Sequence, residues 1–163
     1  MAECCGRAEH PERAGAGTCP LSGTTAPSVD ELTVKALLTE TALRRFSPGS
    51  YRFCPHAACD VVYFDDAGSV FTTHDVRVGV WQKQPAGTRT FCYCFDENEV
   101  DITRDVTEAG RSAAADRVRG HIAAGRCACE VRNPRGVCCL GDVIKAVERI
   151  EVARATWVST STR

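Results

Sequence analysis

Phe91-Cys-Tyr-Cys-Phe95 and, further on, Cys127-Ala-Cys-Glu-Val-Arg-Asn-Pro-Arg-Gly-Val-Cys-Cys-Leu-Gly-Asp142 contain six of the 11 cysteines in this chain of 163 residues. These six cysteines form three close pairs. Each pair stands at the predicted end of a helix, where a short connection can turn the chain back on itself. Such turns would bring the three pairs to one point, so the pattern predicts a metal site in the second half of the chain.

Three helices are predicted around these cysteines from apolar residues at helical spacing. The first helix begins at a capping box whose first residue is Asp96, and this helix ends at Gly110. The second runs from Ser112 to Gly125, and the third begins at about Cys139. Their inward-facing residues are Ile102, Val106, Ala109, Ala115, Val118, Ile122, Val143, Val147 and Ile150.

The middle of the chain is predicted to form β-hairpins. Short β-branched and aromatic segments separated by turn residues lie at 51–54, 60–64 and 69–72. Valines alternate with other residues over 76–80, as in a strand with one buried face. The Pro/Gly stretch at 84–87 then ends the predicted sheet and marks a domain boundary.

The beginning of the chain offers little for a hydrophobic core. Residues 1–27 are rich in Gly, Ala, Pro and Thr and show no apolar period, so alone they would not bury enough surface to become ordered. Apolar residues alternate from Leu32 to Ala36 as in a strand, although Ser28 starts a possible helix-capping box. We predict a strand there, followed by a short helix near 40–46.

Composition excludes several classes of function. The formal net charge is −1, with 20 basic and 21 acidic residues, so no basic surplus indicates binding to nucleic acid or to an anionic membrane. No stretch approaches the ~20 apolar residues of a membrane-spanning helix, and no membrane insertion is expected. Without a secretory signal we expect a cytoplasmic protein, in which clustered thiols favour metal ligation over disulfides. No nucleophile–base pair or phosphate loop indicates an enzyme.

The chemistry of the paired cysteines allows two kinds of metal centre. A [2Fe–2S] cluster needs four thiolates, and a Cys-x-Cys step can present two of them. Helix N-termini near the site would add N–H donors that stabilise an anionic cluster. Four thiolates in tetrahedral geometry suit zinc equally well. The spacing alone therefore favours iron–sulfur over zinc only slightly.

The two quoted motifs resemble the N-terminal domain of CopZ-type copper chaperones over about residues 19–150. That domain joins a small zinc-binding module to a helical [2Fe–2S] module similar to bacterioferritin-associated ferredoxin. The resemblance implies an α+β fold, with a zinc-tied β-hairpin module followed by a three-helix [2Fe–2S] module. We place these modules at 19–88 and 89–152, between tails at 1–18 and 153–163.

The resemblance also implies the cluster ligands. They are Cys92, Cys94, Cys129 and Cys139. Cys127 and Cys138 stand so near the last two that they are alternates, and otherwise spare thiols for a substrate metal.

A zinc site is expected in the first half. Cys54 and Cys59 lie in the turn between two predicted strands, where zinc can tie a hairpin that lacks its own core. Cys19-Pro-Leu-Ser22 resembles the family's other zinc half, a Cys-x-x-Cys knuckle, but a serine hydroxyl replaces the second thiol. The fourth ligand therefore stays open among Cys4, Cys5, His10, His56 and a water.

The resemblance implies a metallochaperone-type accessory protein for copper or another heavy metal, with one-electron transfer through the cluster. The family's copper-carrying domain, with its Met-x-Cys-x-x-Cys motif, is absent from the sequence. The expected partners are therefore a separate carrier or transporter for copper or another soft metal, and an electron donor. The alternatives are a ferredoxin-like electron-transfer partner of an iron store or reductase, and a zinc-only interaction module.

Overall fold

The structure, a computed structural model, describes residues 17–161 and has a mixed α+β architecture. The ligand candidates Cys4, Cys5 and His10 lie outside this range. The strands are β1 (Gly17–Thr18), β2 (Thr25–Ala26), β3 (Arg52–Phe53), β4 (Val61–Phe64), β5 (Val70–Thr72), β6 (Thr90–Cys92) and β7 (Glu97–Asn98). The helices are α1 (Glu31–Leu37), α2 (Glu40–Leu43), α3 (Glu99–Ala109), α4 (Ala114–Ala123), α5 (Cys129–Arg132) and α6 (Leu140–Ser161).

The first half is built on the predicted β-hairpins. Strands β3, β4 and β5 form an antiparallel sheet in that order, and a register irregularity lies between Val61 and Tyr63. Aromatic residues and valines from the sheet are buried against α1, and Phe53 and Tyr63 meet edge to face with ring centroids 6.3 Å apart. The hairpin β1–β2 is a separate two-stranded pair.

The strand predicted before residue 40 is wrong, because the chain forms helix α1 there. The Asp30 carboxylate accepts a hydrogen bond of 2.7 Å from the Leu32 amide and caps the helix. The buried residues of α1 are Thr33, Val34 and Leu37, a helical spacing, whereas Leu32 is exposed. The short helix that follows is confirmed as α2.

The strand predicted over 76–80 is also wrong. Single 3-10 turns occupy Thr73–Asp75 and Trp81–Lys83, and only Val76 makes an isolated bridge, with Leu38. The Asp75 carboxylate stabilises the first of these turns by accepting hydrogen bonds from the Thr72 amide and hydroxyl.

The second half packs α3 and α4 against the first part of α6. The three predicted helices are present, and Gly110 ends α3 with a φ of +77°, as expected of a C-cap. The predicted start of the first helix is wrong by a few residues, because Asn98 caps α3 by accepting from the Asp101 amide at 2.9 Å. Asp96 instead turns the hairpin between β6 and β7, with a φ of +55°.

Helix α6 is longer than predicted. Residues expected to belong to a C-terminal tail from 153 onwards are helical as far as Ser161, and Trp157 on this extension is 69% exposed. Within 17–161, none of the helices combines the length and the apolar character needed to cross a bilayer.

The two halves meet at the loop that follows α5. The hydroxyl of Tyr63, on β4, donates to the Pro134 carbonyl at 2.8 Å. The Thr33 hydroxyl, on α1, donates to the Glu130 carbonyl at 2.6 Å. This loop therefore rests directly on the first half of the molecule.

Candidate metal centres

Three cysteines of the first half converge on one point, which we call the three-thiol site: Cys19, Cys54 and Cys59. Their Sγ atoms all lie within 4.8 Å of one another, and the Cys19 and Cys59 sulfurs are 3.9 Å apart. All three side chains are buried. Cys19 follows β1, while Cys54 and Cys59 flank the connection between β3 and β4. The short strands thus bring distant cysteines together.

This arrangement fits a zinc ion. Four ligands at a Zn–S distance of about 2.3 Å in tetrahedral geometry place neighbouring sulfurs about 3.8 Å apart. The observed 3.9 Å between Cys19 and Cys59 agrees with that separation. Nine cysteines fall within the described range and none forms a disulfide there, so thiol chemistry is available for a metal.

Ser22 lies beside the three thiols, and His56 does not join them. The Ser22 Oγ atom is 3.5 Å from the Cys54 sulfur and accepts a hydrogen bond from the Thr24 amide at 3.4 Å. His56 is exposed, and its Nδ1 atom accepts from the Ala58 amide at 3.2 Å, which stabilises a local turn.

Local hydrogen bonds tune the thiols of this site. Burial acts to raise the pKa of Cys19, but hydrogen bonds from the Ser22 side chain and from the backbone of Leu21 and Ser22 outweigh it and lower the pKa to about 7. Burial raises the pKa of Cys54. The two thiols therefore differ in how readily they ionise.

Lys83 is a site residue that the sequence did not reveal. Its ammonium group donates hydrogen bonds of 2.8 Å to the carbonyls of both His56 and Cys59. Burial lowers the pKa of Lys83, and negative charge on the three thiols acts in the opposite direction. A single lysine beside a predicted domain boundary carries no motif, so only the folded chain identifies this cation.

The second half contains a four-thiol site, formed by Cys92, Cys94, Cys129 and Cys139. The sulfurs of Cys94 and Cys129 are 3.8 Å apart. Cys139 lies in the same buried core cluster as Cys92 and Cys129, and interaction with these two thiols raises its pKa. Cys94 is half-buried and the other three are buried. The four predicted cluster ligands are thus neighbours in the fold.

Backbone N–H groups point at these sulfurs. The Ala128 amide donates to Cys94 Sγ at 3.4 Å. The Cys139 thiol, and after it the backbone of Phe95 and Cys94, lower the pKa of Cys92, although burial opposes this. The Cys139 thiol lowers the pKa of Cys129 to about 6, although burial opposes this, and the Cys139 backbone contributes. Burial raises the pKa of Cys94 to about 12. Such donors suit sulfur that carries negative charge.

The alternates Cys127 and Cys138 are both half-buried. Cys127 packs against the apolar core of the helical half, and Cys138 immediately precedes Cys139. The contacts described above involve Cys129 and Cys139 and favour these two as members of the four-thiol site. The choice between the members of each pair stays a prediction.

Tyr93, between two predicted ligands, points away from the sulfurs and anchors the turn. Its hydroxyl donates to the Gly79 carbonyl at 2.8 Å and accepts from the Trp81 amide at 2.9 Å. The Cys-x-Cys turn is therefore held against the linker that joins the two halves.

The chain is similar to a known protein family, to a known protein and to a solved structure. Residues 16–77, which contain the three-thiol site, match the protein family described as a zinc-binding domain of the CopZ type. The copper chaperone CopZ of Archaeoglobus fulgidus is 29% identical over 145 residues, which span 82% of this chain and 68% of CopZ. The X-ray structure of the N-terminal domain of A. fulgidus CopZ superposes with a TM-score of 0.65 and 28% identity, covering 79% of this chain and 96% of that domain.

Proposed function

We propose that this chain, whose residues 16–77 match a CopZ-type zinc-binding domain, is a metallochaperone-type accessory protein that handles copper or another soft metal. We further propose that it transfers single electrons through a [2Fe–2S] cluster. The observation that carries the proposal is the four-thiol site, in which four cysteines share one largely buried core cluster and the Cys94 and Cys129 sulfurs are 3.8 Å apart. Similarity to a copper chaperone, a metal carrier rather than an enzyme, supports the metal-handling role.

In this proposal Cys92, Cys94, Cys129 and Cys139 hold the cluster. When bound, a [2Fe–2S] cluster supplies one-electron redox chemistry. The protein's part is to supply four thiolates, to keep water away by burial, and to stabilise charge on the sulfurs. The amide of Ala128 and the backbone of Phe95 do the last of these by donating to sulfur, which raises the reduction potential.

Cys19, Cys54 and Cys59 would hold a structural zinc ion. These cysteines form a small core of their own with only a few apolar neighbours, among them Ala26, Val61 and Phe64. Strands of two to four residues seldom form a stable sheet on so little buried surface. A bound metal would therefore supply stability that the apolar contacts lack.

The proposed partners are a copper or other soft-metal carrier or transporter, and an electron donor. A one-electron centre can convert Cu(II) to Cu(I), the oxidation state that soft thiolate carriers bind. We therefore propose that the cluster gives one electron to each Cu(II) ion before the ion passes to the carrier, and that the donor restores this electron.

Metal and sulfide analysis of anaerobically purified protein tests the assignment. We expect red-brown protein with iron and sulfide in the ratio of a [2Fe–2S] cluster, together with zinc. Cys129→Ser and Cys139→Ser should lose iron, whereas the matched controls Cys127→Ser and Cys138→Ser should keep it. Iron loss in Cys127→Ser alone would shift the ligand set by one pair. Colourless protein with zinc in both sites would contradict the cluster and favour a zinc-only interaction module.

The redox role needs a separate test. Chemically reduced protein, freed of excess reductant, should be oxidised by Cu(II) with one electron passed per cluster, as followed by the loss of the reduced-cluster EPR signal. Reduced protein that ignores Cu(II) and exchanges electrons only with a reductase would favour the ferredoxin-like role instead.

A further inference from the structure

The position of Ser22 agrees with direct ligation of the metal in the three-thiol site. A tetrahedral zinc ion with Zn–S of about 2.3 Å and Zn–O of about 2.0 Å separates its oxygen and sulfur ligands by about 3.5 Å. The Ser22 Oγ atom is 3.5 Å from the Cys54 sulfur. The hydroxyl therefore lies at the distance from the Cys54 sulfur that a fourth ligand requires.

The surrounding turn holds this hydroxyl in place. The Cys19 amide donates to the Thr24 carbonyl at 2.9 Å, and the Gly23 amide donates back to the Cys19 carbonyl at 2.8 Å. Gly23 has a φ of +67°, a left-handed conformation that glycine adopts without strain. The Thr24 amide also donates to Ser22 Oγ. Ser22 is thus a fixed neighbour of the thiols rather than a chance contact.

The same hydroxyl borders a cleft that leads to solvent. This cleft has a volume of about 220 Å³ and is lined by Leu21, Ser22, His56, Ala58 and Cys59. Leu21 is 69% exposed, whereas Cys19 and Cys54 are buried on the inner side of the site. A molecule in the cleft would therefore approach the metal from the side of Ser22 and Cys59.

The charge of the site allows an additional anionic ligand. Three thiolates and a divalent ion with a neutral hydroxyl carry one net negative charge, and the Lys83 ammonium group nearby offsets it. A fourth thiolate would leave one net negative charge in total, which a site open to water on one side can hold. Replacement of the hydroxyl by a thiolate is therefore chemically reasonable.

We propose that Ser22 Oγ is a neutral and displaceable fourth ligand, and that a small external thiol enters the cleft and replaces it. This inference rests on the proposed zinc ligation by Cys19, Cys54 and Cys59. In the exchange the metal–oxygen bond breaks, a metal–sulfur bond forms, and the thiol proton passes to solvent. No electron is transferred. The metal in this site is thereby accessible to thiol ligands, unlike one enclosed by four cysteines.

Cobalt(II) substitution tests the proposal, because sulfur-to-cobalt charge-transfer absorption grows with the number of bound thiolates. The full chain carrying Cys92→Ser, Cys94→Ser, Cys129→Ser and Cys139→Ser, which removes every thiol of the four-thiol site, is loaded with Co(II). Adding free cysteine should raise the charge-transfer intensity by about one third, as three thiolates become four. Ser22→Cys should show the higher intensity from the start and should not respond.

Ser47→Cys is the matched control, since it adds a thiol at an exposed position outside the cleft and should respond like the parent chain. The same measurement is repeated with a folded peptide that contains one cysteine in place of free cysteine. This comparison shows whether the cleft admits a thiol on a protein or only a small thiol. A response to free cysteine alone supports the proposal as stated, and a response to both adds protein thiols as a source.

The other outcomes distinguish a failure of ligand displacement at Ser22 from a failure of the zinc site itself. A three-thiolate spectrum that ignores free cysteine overturns displacement and leaves the zinc site standing. A four-thiolate parent spectrum that loses one thiolate in Cys4→Ser or Cys5→Ser overturns the role of Ser22. A spectrum without thiolate absorption removes the zinc site as well. If the silenced chain does not fold, zinc release to a chelator from the unaltered chain replaces the spectrum: free cysteine should accelerate it in that chain and not in Ser22→Cys.

Discussion

Gly136 shows how one residue fixes the contact between the two halves. Its φ is +67°, and a Cβ atom there would lie 2.6 Å from the Thr33 hydroxyl. That hydroxyl is already bonded to the Glu130 carbonyl, so it cannot move away freely. Only glycine satisfies both the backbone conformation and the close approach.

We therefore expect Gly136→Ala to lower the free energy of unfolding by more than the ~1–2 kcal/mol of left-handed strain alone. Gly125 is a matched control, because it has the same φ of +67° with no atom near its Cβ position. Urea denaturation of both variants measures the difference. Equal losses would show that the contact with Thr33 adds nothing.

The environment of Asp75 predicts that the stability of the protein depends on pH. Burial acts to raise its pKa, but hydrogen bonds from the Thr72 backbone and the Arg45 side chain outweigh it and hold the pKa below its usual value. A carboxylate with a lowered folded-state pKa adds stability above its ordinary pKa, and this stability is lost as the pH falls through the folded value. We expect Asp75→Asn to destabilise the protein by about 1 kcal/mol at neutral pH and to have little effect in strong acid. Urea melts at both pH values test this, and a loss that persists in acid would contradict it.

For single residues, the sequence predicts a functional role where the chemistry of the side chain alone indicates it. Cysteine spacing was enough to indicate metal binding, because few other roles explain paired thiols in a reduced setting. Which cysteines form the three-thiol and four-thiol sites was implied by the resemblance to CopZ-type chaperones. Lys83 could not be predicted, since its place depends on carbonyls that only the folded chain brings together. Ser22 looked like a missing ligand until its distance to Cys54 was known.

At the scale of elements, strand β4 supports the loop that leads to Cys139. Tyr63 on β4 is fully buried and donates to the Pro134 carbonyl. Burial raises the pKa of Tyr63 far above its ordinary value, so the hydroxyl keeps its proton and remains a donor. The position of the loop thus depends on an element of the other half.

We expect Tyr63→Phe to cost about 1–3 kcal/mol of stability, because the Pro134 carbonyl would lose its buried partner. It should also accelerate iron release to a chelator from the proposed cluster. Tyr51→Phe is the control, since the Tyr51 hydroxyl donates to the Ser47 carbonyl within the first half. A similar iron-release rate in both variants would contradict a link between β4 and the four-thiol site.

Elements were predicted well where several turns of a helix, or a run of β-branched and aromatic residues, repeat a pattern. Helices α3, α4 and α6 and strands β3, β4 and β5 belong to this group. The failures were short segments. Leu32 to Ala36 fit a strand as well as a helix until the Asp30 cap is considered. Strands β6 and β7 have three and two residues, too few for any period to appear.

For the whole molecule, we expect metal removal from the three-thiol site to affect both halves. The site's thiols pack beside Val61 on β4, and the same strand carries Tyr63 to the loop of the second half. A chelator that strips zinc should lower the thermal midpoint of the full chain. Because the two halves share strand β4, the temperature at which iron absorbance is lost should fall together with this midpoint. Circular dichroism and iron absorbance followed together test this. An unshifted iron transition would show that the halves unfold independently.

The order of the cysteines along the chain also has a consequence for biosynthesis. Cys59, the last proposed zinc ligand, precedes Cys139, the last proposed cluster ligand, by 80 residues. At ribosomal speeds of about 5–20 residues per second, that gap lasts roughly 4–16 seconds. The zinc half can therefore fold and present Tyr63 and Thr33 before the loop that they hold has been translated. A nascent chain would acquire its metals in sequence, zinc first, on a surface already prepared for the second site.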